Sequence, residues 1–207
     1  KSVVYQSLGT ILGIMPWNFP LWQVIRFAIP QLMMGNTIVI KHAPNVSQCA
    51  EKIQRLFEDS NLSHYVQMIY CSTDAIQSVI ANPLIKGVSL TGSVNAGKEV
   101  AKLAGQYLKK VTLELGGSDP FIICQDANLE SVIPVATKAR FLNSGQTCIS
   151  AKRFLVHQTI VEEFATGLQN AVIQLKQGDP LDKVTTLGPL ARLDLQENIA
   201  SQVTESI

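Results

Sequence analysis

The chain has 207 residues, of which 46% are hydrophobic and 16% are charged, and its formal net charge is +1 at pH 7. This length suits one large domain or two small ones, and the balanced charge gives no reason to expect nucleic acid or an anionic membrane as a partner. No apolar run approaches the length of a membrane span and no signal peptide opens the sequence, so we expect a cytoplasmic protein.

The first 109 residues alternate between short apolar runs and longer segments with helical periodicity. The predicted strands cover residues 9–15, 36–41, 65–71 and 85–90, and the predicted helices cover residues 21–34, 47–59, 72–80 and 94–103. Ser47 is the expected N-cap of the second helix. Four apolar residues at helical spacing should form the buried face of that helix: Ala50, Ile53, Leu56 and Phe57. The alternation predicts a parallel α/β sheet with helical crossovers.

The pattern changes after residue 109. Predicted strands cover residues 111–115, 120–124 and 154–157, and predicted helices cover residues 129–142, 160–176 and 195–207. We place a domain boundary at the Gly116-Gly117 pair, which divides the chain into residues 1–116 and 117–207. Because the sequence opens and closes abruptly, we expect it to be a piece of a longer protein.

The cysteines argue against a metal site or a disulfide framework. No two of them lie at C-x-x-C spacing, and the three histidines do not cluster with them. We therefore expect no metal and four reduced thiols. Three of these thiols, Cys49, Cys71 and Cys124, are expected to fill the core, while Cys148 needs a separate assessment.

The stretch SLTGSVNAGKEV, residues 89–100, joins a predicted strand to a predicted helix. Gly92, Gly97 and Lys98 match the phosphate-binding loop G-x-x-x-x-G-K-[ST], but Glu99 stands where a Ser or Thr would bind Mg²⁺. The stretch is therefore either an altered triphosphate loop or another way of placing a helix N-terminus against a phosphate. Trp17-Asn18 and Lys41 also follow predicted strands, at the edge where parallel sheets bind ligands.

Three further motifs contain residues that can carry chemistry. Cys148, in NSGQTCIS, follows a glycine-containing turn and is either an exposed nucleophile or a structural thiol. Glu114, in LELGGSDP, is either a solvated strand residue or a general base in a cleft. Asn18, in MPWNFP, lies between two prolines and is either a polar turn residue or an amide donor for an oxyanion.

Taken in chain order, PWNFP, the lysine at a strand end, TGS, ELGG and GQxC together resemble the aldehyde dehydrogenase superfamily over essentially the whole chain. The resemblance is closest to its succinate-semialdehyde dehydrogenase branch, through KHAPNV (41–46), LELGGSDPFI (113–122) and LGPLAR (187–192). It implies a Rossmann-like dinucleotide-binding domain in residues 1–116 and the start of an α/β catalytic domain in residues 117–207.

The resemblance also implies a mechanism in which Cys148 attacks an aldehyde and the Asn18 amide holds the oxyanion. Hydride then passes to NAD or NADP, and water activated by Glu114 hydrolyses the thioester. The residues implied in cofactor binding are Trp17, Asn18, Lys41, His42, Ala43, Pro44, Gly92, Ser93, Gly97 and Leu115. Many NAD-preferring relatives carry an acidic residue where this chain has Pro44, so NADP should be admissible, and Lys98 should be a solvated helix residue.

Arg26 is the predicted substrate-binding residue, and succinate semialdehyde is the expected substrate. It lies eight residues after Asn18, about 12 Å of helix, so its guanidinium could bind the distal carboxylate of a four-carbon aldehyde. Otherwise Arg26 is a surface residue paired with an acid. Some relatives carry a second arginine six residues before the nucleophile, where this chain has Leu142, and Arg140 should face elsewhere.

Two other functions remain open from the sequence alone. The chain could be an inactive dinucleotide-binding or oligomerisation fragment of such an enzyme, because the family's later E-x-F-G-P motif and oligomerisation strand are not in these residues. It could also be a P-loop NTPase, which Glu99 disfavours. The full-length protein is expected to form a homo-oligomer that acts on a small aldehyde.

Overall fold

The computed structural model describes residues 2–207 and divides the chain into two compact units, Lys1–Gly116 and Gly117–Ile207. Within the described part of the first unit, five strands form one parallel sheet in the order β3-β2-β1-β4-β5. The strands are β1 (Thr10–Met15), β2 (Thr37–His42), β3 (Val66–Ile69), β4 (Ile85–Gly92) and β5 (Lys110–Leu115). The connecting helices are α1 (Pro20–Met33), α2 (Ser47–Asp59), α3 (Ile76–Ala81) and α4 (Val94–Gln106). The predicted parallel α/β fold is confirmed.

The strand order changes direction at β1, which has β2 on one side and β4 on the other. In open parallel sheets a crevice forms at such a point, outside the carboxyl ends of the two strands, and ligands bind there. The loop after β1 contains Trp17 and Asn18, and the loop after β4 contains Ser93. The topology therefore brings two of the predicted cofactor loops to the same edge of the sheet.

Each face of this sheet buries an apolar cluster. One cluster contains Ile11, Ile40 and Val24, and the other contains Leu12, Ile80 and Leu90, all at most 6% exposed. A glycine sets how closely α1 approaches the sheet, because a Cβ at Gly13 would lie 2.5 Å from the Phe27 ring. This close packing fixes the height of α1, and with it Arg26, above the strands.

The second unit contains a two-stranded parallel sheet of β6 (Pro120–Ile123) and β7 (Arg153–Val156). Its helices are α5 (Leu129–Phe141), α6 (Val161–Ile173) and α7 (Leu193–Glu205). Ile123, Ala136 and Phe164 form its core, and the Phe154 ring lies 5.7 Å from the Phe164 ring. None of the helices within residues 2–207 is long and apolar enough to cross a membrane.

Several local expectations were wrong. Ser47 does not cap α2, because a 3₁₀ turn at Pro44–Val46 leads directly into the helix and gives Ser47 helical backbone angles, whereas an N-cap needs extended ones. Leu56 is 52% exposed, since it lies beside the buried stripe of Ala50, Ile53 and Phe57 and not within it. Helix α3 begins at Ile76, four residues late, because a turn joins Thr73 to Ile76.

The expectation that three cysteines fill the core was wrong for Cys124 and Cys49, whereas Cys71 packs against the cluster that contains Leu12. Cys49 and Cys71 are half-buried and Cys124 is exposed. Cys124 follows the last residue of β6, where the chain leaves the sheet, and Cys71 follows β3. All four thiols are free, and Cys148 is half-buried, so burial alone does not single it out.

Candidate active site

Asn18 is half-buried in the loop between β1 and α1. Its Oδ1 accepts a hydrogen bond from the Phe19 N–H at 3.1 Å. This contact orients the side-chain amide, with the oxygen as the accepting end and the NH₂ group as the donating end. The proline at the first position of α1 fits the backbone there without losing a helical hydrogen bond.

His42 connects the end of β2 to the start of α1. Its Nε2 lies 2.9 Å from the Pro20 carbonyl oxygen, and its Nδ1 accepts from the Ala43 N–H at 2.8 Å. Because Nδ1 accepts, the proton is on Nε2, which donates to Pro20, and the ring is neutral. Burial lowers the pKa of His42, and the charge of Lys41 lowers it further against the opposing effect of the Pro20 bond. The ring thus tethers the Asn18 loop to the sheet.

The first unit should lose stability on mild acidification because of His42. A histidine whose pKa is lower in the folded than in the unfolded state stabilises the fold above pH about 6.5 and ceases to do so as the pH falls below that value. We expect thermal melts of the wild type to show this loss between pH 7.5 and pH 5.5. His42→Gln should show a smaller pH dependence, and an equal pH dependence in both proteins would contradict the assignment.

Three predicted cofactor residues line one cavity. His42, Ala43 and Pro44 form part of a cavity of about 280 Å³, together with Ile69 at the end of β3 and Cys71 two residues later. Lys41, the residue before His42, is 9% exposed between Ile14 of β1 and Ile69 of β3. The cavity lies at the carboxyl edge of the sheet, where a nucleotide would bind.

The start of α4 has the geometry of an anion-binding helix N-terminus. Ser93 is the N-cap, and its Oγ accepts from the Ala96 N–H at 3.2 Å. Gly97 has a packing role, because a Cβ there would lie 2.7 Å from the Leu115 side chain. Lys98 is exposed on α4, as the sequence predicted, and so is Glu99.

A polar cleft lies between α1 and the strands β4 and β5. Register pairs Ser89 with Thr112 and Thr91 with Glu114, so four polar side chains share one face of two neighbouring strands. With residues of α1 they line a cavity of about 200 Å³. This cleft was missed from the sequence, although the alternation of hydroxyl and apolar residues at positions 89–91 and the period-two pattern of positions 112 and 114 were signals for it.

One face of α1 closes the cleft. Arg26 Nη2 lies 3.5 Å from Glu114 Oε2, and both side chains are about half-exposed. Gln23 is 5% exposed, and its Oε1 has no hydrogen-bond partner among the described residues. The predicted base and the predicted substrate-binding arginine are thus brought together, and the surface-pairing alternative for Arg26 is also realised, with Glu114 as the acid.

In the second unit, Cys148 follows a turn with unusual backbone angles. Asn143, Ser144 and Gly145 all have positive φ, at 53°, 56° and 75°. Two non-glycine residues in this region are uncommon, and such residues persist only where other contacts hold them. The turn ends α5 abruptly and presents Cys148, which is half-buried, on the following loop.

Side-chain hydrogen bonds hold this turn to a distant segment of the same unit. Ser144 Oγ donates to the Gly188 carbonyl at 2.8 Å, and Gln146 Oε1 accepts from the Ala191 N–H at 2.9 Å. Thr147, which is 7% exposed, lies 3.3 Å from the Leu142 carbonyl through its Oγ1. The LGPLAR stretch that the sequence singled out therefore braces the cysteine loop.

Arg140 stabilises the same loop through its side chain, a contact that its spacing from Cys148 in the sequence did not predict. Its Nη1 donates to Ser150 Oγ at 3.0 Å, and Ser150 is 1% exposed two residues after Cys148. Leu142 is exposed and supplies no charge. A separate cavity of about 560 Å³, between Ile122–Gln125 and Phe154–Val161, contains none of the predicted site residues.

The chain matches the Aldehyde dehydrogenase family over residues 1–207. It belongs to the aldehyde dehydrogenase family. This membership excludes the P-loop NTPase alternative.

Several similar proteins of the family are named succinate-semialdehyde dehydrogenases. A succinate semialdehyde dehydrogenase [NAD(P)+], Sad, from Escherichia coli (strain K12) is 44% identical over 99% of this chain and 45% of its own length. A probable succinate-semialdehyde dehydrogenase [NADP(+)] from Synechocystis is 45% identical over 99% of this chain and 45% of its own length. The crystal structure of a succinic semialdehyde dehydrogenase from Streptococcus pyogenes in complex with NADP+ has a TM-score of 0.93 at 38% identity, covering 96% of this chain and 44% of that one.

The chain thus spans less than half the length of these relatives. The predicted residues are divided between its two units: Asn18, Arg26, Glu114 and the cofactor residues lie in the first, and Cys148 lies in the second.

Proposed function

We propose that the protein containing this chain oxidises succinate semialdehyde to the dicarboxylic acid, with NAD or NADP as the hydride acceptor. The observation that carries the proposal is the presentation of Cys148 on a left-handed turn held by side chains of its own unit. Family membership and the activities for which the relatives are named support the reaction class. We further propose that the protein acts in the cytoplasm as a homo-oligomer, without a nucleic-acid partner.

In the proposed mechanism the Cys148 sulfur forms a bond to the aldehyde carbon. The Asn18 amide and the Cys148 backbone N–H stabilise the resulting oxyanion, since hydrogen-bond donors aimed at developing charge lower the barrier. A nicotinamide held by the residues of the first unit would supply the hydride acceptor for oxidation of the thiohemiacetal to the thioester. Glu114 then takes a proton from water as the water oxygen attacks the thioester, and the C–S bond breaks to return the Cys148 thiolate.

Several residues of the first unit fit a dinucleotide. The Ser93-capped start of α4 offers backbone N–H groups and a partial positive charge to a pyrophosphate. His42, Ala43 and Pro44 line a cavity next to Lys41, as a ribose site at the edge of a parallel sheet requires. The remaining predicted cofactor residues, Trp17, Gly92, Gly97 and Leu115, stay a prediction from the family resemblance.

Cofactor choice should be permissive, because Pro44 places no negative charge beside Lys41. We expect the ratio of kcat/KM for NAD and NADP in the full-length protein to stay within about 10³, or about 4 kcal/mol. Pro44→Glu should shift this ratio towards NAD by at least about tenfold, because the new carboxylate would repel a 2′-phosphate. Pro44→Gln is the uncharged control. Exclusion of NADP by the wild type beyond about 10³-fold would show that an acidic residue elsewhere contacts the ribose.

Arg26 should determine selectivity for a distal carboxylate, and this experiment tests the proposed substrate. We expect Arg26→Leu to raise KM for succinate semialdehyde by about tenfold or more, because a charge-assisted contact is lost. The KM for butanal, which has no carboxylate, should change by less than about threefold. Arg55→Leu removes an exposed arginine from α2 and is the matched control. Equal losses on both aldehydes would show that Arg26 supports the fold and not substrate choice.

The fragment alternative is tested by the same measurements. Turnover is expected only from the full-length protein. The alternative function, an inactive dinucleotide-binding or oligomerisation fragment, applies to the 207-residue chain alone. Cofactor-dependent aldehyde oxidation by the full-length protein would establish the enzyme, and its absence would favour the binding role.

A further inference from the structure

We propose that Arg26 has a second role, as a positioning residue that holds Glu114 until the carboxylate of the substrate displaces it. The inference rests on the proposed function, because it assigns Glu114 to hydrolysis and Arg26 to the substrate. It adds that binding of the substrate carboxylate to Arg26 is the same event that releases Glu114 from Arg26. Selectivity for a carboxylate would then appear in the hydrolytic step as well as in binding.

The geometry of the pair is that of a weak, replaceable contact. Arg26 Nη2 and Glu114 Oε2 are 3.5 Å apart, and the side chains are 45% and 54% exposed. This separation is longer than a charge-assisted hydrogen bond, which lies at about 2.7–2.9 Å. A free carboxylate that binds the guanidinium through two parallel hydrogen bonds would therefore compete well for Arg26.

The surroundings of the pair favour replacement of Glu114 by the substrate carboxylate over simultaneous binding of both carboxylates to Arg26. Arg26 is the one basic residue that lines the described cleft, whose other lining residues include Ser89, Thr91 and Thr112. Two carboxylates sharing one guanidinium would leave a net negative charge in the cleft, and their repulsion disfavours that arrangement. The strand hydroxyls and Gln23 Oε1, which has no partner among the described residues, provide polar groups that can bind water in the cavity of about 200 Å³ beside Glu114.

The exchange accounts for the order of events during hydrolysis. In the succinyl thioester the distal carboxylate occupies Arg26, and Glu114 is free to take the proton of the attacking water. The water oxygen forms a bond to the carbonyl carbon, the C–S bond breaks, and sulfur leaves with its electron pair on Cys148. In a thioester without a carboxylate Glu114 stays with Arg26 for part of the time, so hydrolysis is slower.

Ester hydrolysis by the full-length protein without cofactor isolates this step. With p-nitrophenyl acetate, p-nitrophenolate leaves in a burst as Cys148 is acetylated, and the steady-state rate then reports hydrolysis of the acetyl thioester. Propionate, which has a carboxylate and no aldehyde, is the probe, and sodium chloride keeps the ionic strength constant. Propionate should raise the steady-state rate saturably, by up to about fivefold for an exposed pair, and leave the burst amplitude unchanged.

The variants separate positioning from fold support. Arg26→Leu should hydrolyse the acetyl thioester up to about fivefold faster than the wild type without propionate, and should not respond to propionate. Arg26→Lys should respond in part, and Arg55→Leu should behave like the wild type. A loss of fold would lower the burst amplitude, which the exchange leaves unchanged.

The outcomes also separate this inference from the proposed function. If the wild type shows the burst and oxidises succinate semialdehyde, but propionate does not accelerate hydrolysis, the exchange is wrong and the proposed function stands. Acceleration that persists in Arg26→Leu likewise overturns the exchange. If the wild type shows neither the burst nor aldehyde oxidation, both proposals fail.

Discussion

Cys148→Ala should abolish aldehyde oxidation by the full-length protein and leave cofactor affinity unchanged. The thiolate is the atom that captures the aldehyde, and a free aldehyde is a poor hydride donor, so no weaker route replaces it. We expect kcat to fall by at least about 10³-fold, since removal of a catalytic nucleophile commonly costs that much or more. Steady-state assays measure the rate, and calorimetric titration with NADP measures the affinity.

The other thiols provide matched controls for this experiment. Cys124→Ala changes an exposed thiol of the same unit, and Cys71→Ala changes a thiol of the cavity that contains Pro44. The first should retain full activity, and the second should alter cofactor affinity more than kcat. If Cys148→Ala stays active, or Cys124→Ala does not, the nucleophile is assigned to the wrong residue.

The first unit was predictable because its signals are local and repeated. Each apolar run lies between a turn and an amphipathic segment, so strands and helices could be placed within a few residues of their bounds. Parallel pairing then follows, because crossovers through helices leave no room for tight hairpins. Asn18 follows β1 and Ser93 follows β4. Because the strands are parallel, both residues could be expected at the carboxyl edge of the sheet.

The polar cleft was not predictable in the same way, because it depends on register and on packing across the chain. Glu114 meets Arg26 only because β5 pairs with β4 and α1, which packs on β1 and β2, borders the same cleft, so that residues 88 positions apart are joined. The sequence limits Glu114 to one face of its strand but does not say what covers that face. Gly13 helps to determine what covers it, because the absence of a side chain there lets Phe27 of α1 pack close to the sheet.

The cysteine loop shows the same limit. A turn before Cys148 was expected from Gly145, but three successive left-handed residues were not, because Asn143 and Ser144 adopt that region only under tertiary constraint. The constraint comes from Gly188 and Ala191, more than forty positions away. That Arg140 faces away from a clamp position stays a prediction, and its partner, the buried Ser150, was not foreseen.

Glu114→Gln should separate the two halves of the reaction. Glutamine keeps the size and polarity of the side chain but cannot accept a proton from water at neutral pH, so thioester formation should proceed and hydrolysis should slow. We expect the full-length variant to form one equivalent of NADPH per active site in a burst and then to turn over about 10²- to 10⁴-fold more slowly than the wild type. Stopped-flow absorbance measures both phases.

The matched control is Glu99→Gln, which removes an exposed carboxylate from α4 and should leave both phases unchanged. Loss of the burst in Glu114→Gln would place Glu114 before hydride transfer, for example in deprotonating Cys148. An unchanged steady-state rate would assign the water-activating base to another residue. Trapping adds a chemical check: in Glu114→Gln the succinyl group should remain on Cys148 and be found there by mass spectrometry after acid quench. In the wild type the same quench should recover mostly free thiol, because hydrolysis assisted by Glu114 empties the thioester as fast as it forms.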